Sequence, residues 1–404
     1  MGSETGAAFG ARARSLAAIV HEAMRLPSRR GAATHATIVF DAGGELVWTV
    51  RLARGHVKIT PGRGSRPSLT IVADPATLGA VLVGSESGVA AYLAGRLRAR
   101  GSLSLALELD ALFDHPPRPP AFPRSHRRKI GDLESFYLEA GEPRPGRSPI
   151  VLIHGLGATC SSMLPTLHDL ARDHHVYAVD LPGFGESEKP LRRYHAAFFA
   201  QWMVAFLDAV GAPRAHLIGN SMGGRVSIEV ALRHPDRVDR LALFAPSLAF
   251  RRFRQLVPLA RLLAPELGVV PLPITRLQVL ITLRSLFAHS ERVARPWFDA
   301  AADEALRVLG SPRGRIAFFS AAKQIYLEDA VGERGFWERL PRLSRPALFL
   351  FGEHDLLVPR GFSGHVRAAV PHAHVRVLPD CGHVPQFELP ALTHRLVREF
   401  LDGA

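Results

Sequence analysis

Five prolines fall within ten residues at 115–124, His-Pro-Pro-Arg-Pro-Pro-Ala-Phe-Pro-Arg. Proline lacks a backbone N–H and fixes φ, so neither a helix nor a central strand can run through such a stretch. It reads as an extended, semi-rigid spacer. A chain of 404 residues is long enough for two domains, and this break places their boundary. The expectation is a first domain at 1–114, a linker at 115–128 running into the basic cluster His126-Arg127-Arg128-Lys129, and a second domain at 129–404.

The two sides of the break are patterned differently. Before it, Leu16, Ile19, Val20, Ala23 and Met24 recur at helical spacing. Strand-like segments follow at Thr37–Phe40, Leu46–Leu52, His56–Thr60 and Leu69–Ala73, with Asp41-Ala-Gly-Gly44 as a hairpin turn. Asp74 stands where an N-cap would open a helix over Pro75–Val83. A helical stretch through Val89–Leu93, a strand within Gly95–Gly101 and a last helix over Leu103–Phe113 complete a small α+β unit without a catalytic motif. After the break, short apolar runs alternate with helical stretches. The runs are Ile150–His154, Val176–Asp180, His216–Asn220, Leu241–Ala245, Ala347–Phe351 and Val375–Leu378; the helices are Ser161–Arg172, Ala196–Val210 and Met222–His234. That order predicts an α/β fold, a mainly parallel sheet with helices on both faces. Lys129–Ala140 fits an antiparallel hairpin at its entry. From about 247 to 341 the alternation lapses into apolar, Arg-rich helical sequence, the pattern of an inserted helical cap.

The chemistry concentrates after the break. Gly219-Asn220-Ser221-Met222-Gly223 follows an apolar strand and opens a helix. A serine there sits on a sharp turn that exposes its hydroxyl, and small residues two before and two after leave the turn room. A serine hydroxyl needs a base to take its proton and a third group to orient that base. Asp355 follows the strand Ala347–Phe351, and His383 follows the strand Val375–Leu378. Both lie at the C-terminal ends of parallel strands, where sites on such sheets are built. Glu353 is the competing carboxylate; His354, His372 and His374 have the wrong order or the wrong strand end. Ser221, Asp355 and His383 are the expected catalytic triad; Asp355 is preferred to Glu353 because it lies three after Gly352, the spacing of the family that the second domain resembles. The loop His154-Gly155-Leu156-Gly157 ends another strand, and the main-chain N–H groups of Leu156 and Met222 are the expected oxyanion hole. His154 is expected to hold that loop, and Asp180-Leu-Pro-Gly-Phe-Gly-Glu-Ser187 to form a structural turn.

Together these five elements resemble the α/β-hydrolase superfamily over roughly 129–404. The resemblance implies acyl transfer to a serine and hydrolysis, an esterase- or lipase-like activity. The stretch Gly-Asn-Ser-Met-Gly-Gly is also similar to hydrolases that cleave carbon–carbon bonds of ring-fission products, but those commonly carry Trp after the histidine, where this chain has Val384. Residues of roughly 10–113 resemble the sterol-carrier type of lipid-transfer domain, through the hairpin with Trp48, Asp74-Pro-Ala-Thr-Leu78 and the stretch Ala91–Leu103. That resemblance implies a tunnel for one apolar chain. The substrates expected are hydrophobic, lipid-like esters. A non-catalytic lipid-binding or scaffold protein is the rival from another class, against which the complete triad stands.

Net charge is +13, with 17 Lys/Arg against 9 Asp/Glu in residues 1–128. Such a balance favours anionic partners, and peripheral contact of the cap with anionic membrane fits the mixing of arginines with bulky apolar residues in Phe250–Arg254, Leu256–Leu267 and Leu277–Phe287. No zinc-finger spacing or RNA-binding aromatic signature points to nucleic acid. His168, His174 and His175 do not form a convincing ligand set, so neither metal nor cofactor is expected. No run approaches the roughly 20 apolar residues that span a bilayer, and two cysteines make no disulfide framework, which fits a reducing cytoplasm.

Overall fold

The computed structural model describes residues 15–44, 46–249, 265–270, 273–326, 328–333 and 335–403. The chain separates into two compact units, 1–125 and 126–404.

In the first unit, helix α1 (15–23) buries Leu16 and Val20, and α2 (Arg29–Ala33) follows. Strands β1 (Ala36–Asp41), β2 (Val47–Ala53), β3 (His56–Pro61), β4 (Leu69–Ala73) and β5 (Leu97–Gly101) form one sheet in the order β3-β2-β1-β4-β5. The β1–β2 hairpin is antiparallel with Phe40 opposite Trp48, while β1 and β4 run parallel. Helix α3 (Pro75–Val83) is capped by Asp74, whose carboxylate accepts from the N–H groups of Ala76 and Thr77 and from the Thr77 hydroxyl. The Thr77 hydroxyl, more than its N–H, holds the Asp74 carboxyl below its ordinary value. Helix α4 (Gly88–Leu93) precedes β5. The expected last helix is two short ones, α5 (Leu103–Leu107) and α6 (Leu109–Leu112). They meet at Glu108, whose buried carboxylate pairs with the Arg30 guanidinium 2.5 Å away.

The second unit carries an eight-stranded sheet. Its strands are β6 (Arg124–Ile130), β7 (Leu133–Ala140), β8 (Ile150–Ile153), β9 (Val176–Val179), β10 (Ala215–Asn220), β11 (Val238–Phe244), β12 (Ala347–Gly352) and β13 (His374–Leu378). The order is β13-β12-β11-β10-β8-β9-β7-β6, parallel from β9 to β13 and antiparallel at β7–β9. Strands β8, β9 and β12 are buried along their whole length, as parallel strands covered on both faces must be. The helices are α7 (Leu164–Leu170), α8 (Ala196–Ala209) and α9 (Met222–Arg233), and after the insertion α14 (Phe362–Ala369), α15 (Pro385–Glu388) and α16 (Pro390–Asp402). Helix α8 packs on α9, and α7 on α16. Strand β6 opens at Arg124, so His126–Arg128, placed in the linker, stand in a strand. It is the edge strand of the sheet and, Ile130 apart, has no buried residue; such a strand leaves no apolar alternation to read.

Between β11 and β12 the insertion supplies α10 (Arg276–Arg284), α11 (Arg295–Gly310), α12 (Pro312–Tyr326) and α13 (Phe336–Arg339). Phe250–Arg254 and Leu256–Ala264 lie outside the described residues. A buried ion network ties the insertion to α9. Arg225 pairs with Glu229 at 2.9 Å and with Glu328 at 2.6 Å, and its guanidinium lies 4.7 Å from the centre of the Phe336 ring. Burial would raise the Glu229 carboxyl, but Arg225, Arg233 and Arg339 overcome it and hold it at about 2. The stability this supplies is present above the ordinary value of 4.5 and is lost as pH falls through about 2. Glu229→Gln leaves Arg225 with Glu328 as its one charged partner and is expected to cost about 1–3 kcal/mol at pH 7. Denaturant titrations across pH should show that gap closing between pH 4.5 and 2. Among the described residues no helix is long and apolar enough to cross a membrane.

Candidate active site

The strand–turn–helix at β10 and α9 sets Ser221, the candidate nucleophile. Ser221 has φ 53° and ψ −115°, a conformation open to few L-residues and costing about 1–3 kcal/mol. Three backbone hydrogen bonds impose it. Ser221 N–H donates to Phe244 O at 2.8 Å, and Ser221 O accepts from Arg225 N–H at 3.1 Å and from Ser247 N–H at 2.9 Å. The flanking glycines are required by contact. A Cβ on Gly219 would lie 2.3 Å from Gly223 C, and one on Gly223 would lie 2.2 Å from Ile153 O. Ser221 is buried, and its Oγ lies 3.3 Å from Ser247 Oγ.

Asp355 and His383 come together as the sequence predicts. His383 Nδ1 lies 2.8 Å from Asp355 Oδ2. The other carboxylate oxygen accepts from the N–H groups of Leu357 at 2.8 Å and Val358 at 2.9 Å, which pins the acid. With Nδ1–H donating to the carboxylate, Nε2 carries the lone pair a base needs. Glu353 is turned to Arg360 Nη1 at 2.9 Å and takes no part. His354 sends its N–H to Cys381 O, while its exposed ring faces Asp380. Among the described residues no hydrogen bond joins Ser221 Oγ to the His383 ring. Such bonds are often long before substrate arrives.

Asn220, which the sequence did not single out beyond its place in the motif, links the two halves. Its Nδ2 donates to Phe244 O and to His383 O, both at 3.1 Å. The loop bearing His383 is thereby tied to the residue preceding the nucleophile.

His154 holds the loop after β8. Leu181 N–H donates to its Nε2 at 3.1 Å, which places the proton on Nδ1, and Nδ1 donates to Gly155 O at 2.7 Å. Burial pushes this imidazole down to about 4, so it stays neutral. Carbonyl and N–H point opposite ways across a trans peptide, so anchoring Gly155 O also orients Leu156 N–H. The loop runs beside Ser221: a Cβ on Gly155 would be 3.4 Å from Ser221 Cβ. Met222 begins α9, and the first N–H groups of a helix have no intrahelical acceptor. Asp180 closes the neighbouring turn through Cys160 N–H at 2.7 Å and Glu186 N–H at 2.8 Å, and burial raises its carboxyl above the ordinary value. Among the described residues no group of three or more His, Cys, Asp or Glu is placed to hold a metal ion. The site brings together a strained serine, an imidazole paired with a carboxylate, and main-chain N–H groups, a set suited to acyl transfer.

Comparison with known proteins bears on the two domains. Residues 148–390 match the alpha/beta hydrolase fold family, and residues 23–114 match the SCP-2 sterol transfer family. A dihydrolipoyllysine-residue acetyltransferase component of an acetoin cleaving system from Pseudomonas putida is 30% identical over 69% of this chain and 70% of its own. A 2-hydroxymuconate semialdehyde hydrolase, also from Pseudomonas putida, is 30% identical over 63% of this chain and 88% of its own. Among solved structures, a membrane phospholipase A described as a bacterial virulence factor is similar with a TM-score of 0.60 and 27% identity, over 81% of this chain and 95% of that one. The chain belongs to the α/β-hydrolase family and carries an SCP-2 sterol transfer domain ahead of the hydrolase fold.

Proposed function

We propose that this chain is a cytoplasmic serine hydrolase that cleaves esters of hydrophobic acyl groups, with its SCP-2 domain binding the apolar substrate or product. The observation that carries the reading is the pairing of His383 with the pinned Asp355, while Asn220 ties its loop to the strained Ser221 turn. In the first step His383 Nε2 takes the Ser221 proton as Oγ bonds to the ester carbonyl carbon. The carbonyl oxygen becomes an oxyanion held by the N–H groups of Leu156 and Met222, where one such donor is typically worth about 2.7–4 kcal/mol. Asp355 stabilises the imidazolium that forms. As the tetrahedral intermediate collapses, the alcohol leaves with the proton from His383. Water then repeats the sequence on the acyl-enzyme, giving acid and free serine.

Two features support a lipid-like substrate. Helix α10 exposes Leu277 and Ile281 one turn apart, with Val269 and Val270 exposed just before it, an outer face suited to an acyl chain or an anionic lipid surface. The match to the membrane phospholipase A also covers 81% of the chain, more than the second unit amounts to. Both cysteines are buried and free, as a reducing compartment allows.

Cleavage of carbon–carbon bonds is the second reading, favoured by the 30% identity to the 2-hydroxymuconate semialdehyde hydrolase. Val384 in place of Trp weighs against it. Side-by-side assays of an activated long-chain ester and a ring-fission dienoate should show turnover of the ester only. Labelling by a fluorophosphonate should fall on Ser221, and its absence would leave a non-catalytic lipid-binding protein.

The role of the first domain has its own test. A tethered carrier raises the local concentration of a substrate scarce in water. A chain beginning at Arg124, which keeps β6, is expected to retain activity on a short soluble ester and to lose most of it on long-chain esters presented in vesicles. Full-length protein should bind anionic vesicles more tightly than neutral ones, and less tightly in salt. Matching chain-length profiles for the two proteins would reduce the first domain to an appendage.

A further inference from the structure

The loop that carries His383 is held from a third side, by the insertion. Residues 379–384 run from β13 to α15, and the insertion crosses them as it leaves α10. There Leu286 O accepts from His383 N–H at 2.6 Å. Glu388 ends α15, is buried, and divides its carboxylate between the two segments. Oε1 accepts from His289 N–H at 2.5 Å, and Oε2 accepts from Gly382 N–H at 2.7 Å. The approach is close enough to demand glycine at 382, because a Cβ there would lie 2.5 Å from Leu286 O and 2.7 Å from Ala288 N. The backbone around His383 is therefore fastened on one side to the sheet through Asn220, and on the other to the insertion through Leu286 and Glu388. Hydrogen bonds that end on a carboxylate are the stronger kind, and here each oxygen holds a different segment.

We propose that Glu388 is a positioning residue whose carboxylate couples residues 286–289 of the insertion to the loop of His383, so that the seating of the insertion sets where the imidazole stands relative to Ser221. The inference rests on the reading of His383 as general base. Its consequence is that loosening the insertion slows the chemical step and leaves substrate affinity largely intact, since Glu388 does not line the bond-making atoms but holds the group that does. A purely structural Glu388 would lower the folded fraction and leave each folded molecule at full rate.

The test uses the full-length chain and compares Glu388→Ala, Glu388→Gln and His383→Ala. Turnover of a short activated ester and the rate of labelling by a fluorophosphonate are both expressed per folded molecule. Glu388→Ala is expected to lower kcat by about 30-fold or more with KM within threefold. Glu388→Gln keeps one acceptor oxygen and should fall between it and the wild type; if the alanine variant does not fold, Glu388→Gln alone should lose at least fivefold in kcat. In the wild type, hydrogen exchange should show the amides of His289 and Gly382 protected together. A kcat per folded molecule within twofold of wild type, or an unprotected His289 amide, overturns the coupling. If His383→Ala itself turns over normally, the base assignment has failed instead, and the two failures are thereby told apart.

Discussion

Replacing Ser221 or His383 by alanine is expected to lower ester hydrolysis by roughly 10⁴-fold or more, and the double variant should be little worse than either single one. Members of a triad act as a unit: without the nucleophile the base has nothing to activate, and without the base the hydroxyl keeps its proton. What remains is expected to come from binding and from the oxyanion hole proposed at the Leu156 and Met222 N–H groups. The folds of both variants should be intact, because neither ring nor hydroxyl is the main anchor of its loop. Ser221 is held by backbone bonds to Phe244, Arg225 and Ser247, and the His383 main chain by Leu286 and Asn220. Relief of the Ser221 backbone is not expected from alanine, which shares the same restricted φ. Turnover of an activated ester near the wild-type rate by Ser221→Ala would remove the assignment.

Asp355→Asn should cost nearly as much, on the order of 10⁴-fold in kcat, whereas Glu353→Gln should stay within about twofold. Asp355 gives one oxygen to His383 and the other to two main-chain N–H groups, so it fixes both the direction and the tautomer of the ring. An amide can present a donor to Nδ1, which turns the proton to Nε2 and removes the lone pair. Glu353 is occupied with Arg360 at the surface, where its loss touches nothing in the site. Steady-state kinetics of the two variants give the ranking directly, and the reverse order would show that the wrong carboxylate had been chosen.

The choice between those carboxylates shows how far one dimension reaches. Asp355 and Glu353 stand two residues apart after the same strand, and only the spacing of three after Gly352, matching the family that the domain resembles, favoured one. Asn220 stood inside the recognised motif with nothing to mark its amide as the anchor of a loop 163 residues further on. Glu388 is five residues past His383, yet its partners are two main-chain N–H groups, one of them 99 residues away. Glu108, between the two short helices of the first unit, has its charged partner Arg30 78 residues before it.

Legible in the sequence alone were the proline break just before the boundary of the two units, the parallel α/β order of the second domain and the proposed succession Ser221, Asp355, His383. Each rests on local chemistry: a missing N–H, a hydrophobic period, a glycine where no Cβ fits, a polar residue at a strand end. Tertiary structure alone decided how His383 is held, where the hairpin strand β6 begins and which groups join the insertion to the site. Those depend on backbone donors and acceptors that every residue carries alike, so no side chain announces them until the fold has brought the segments together.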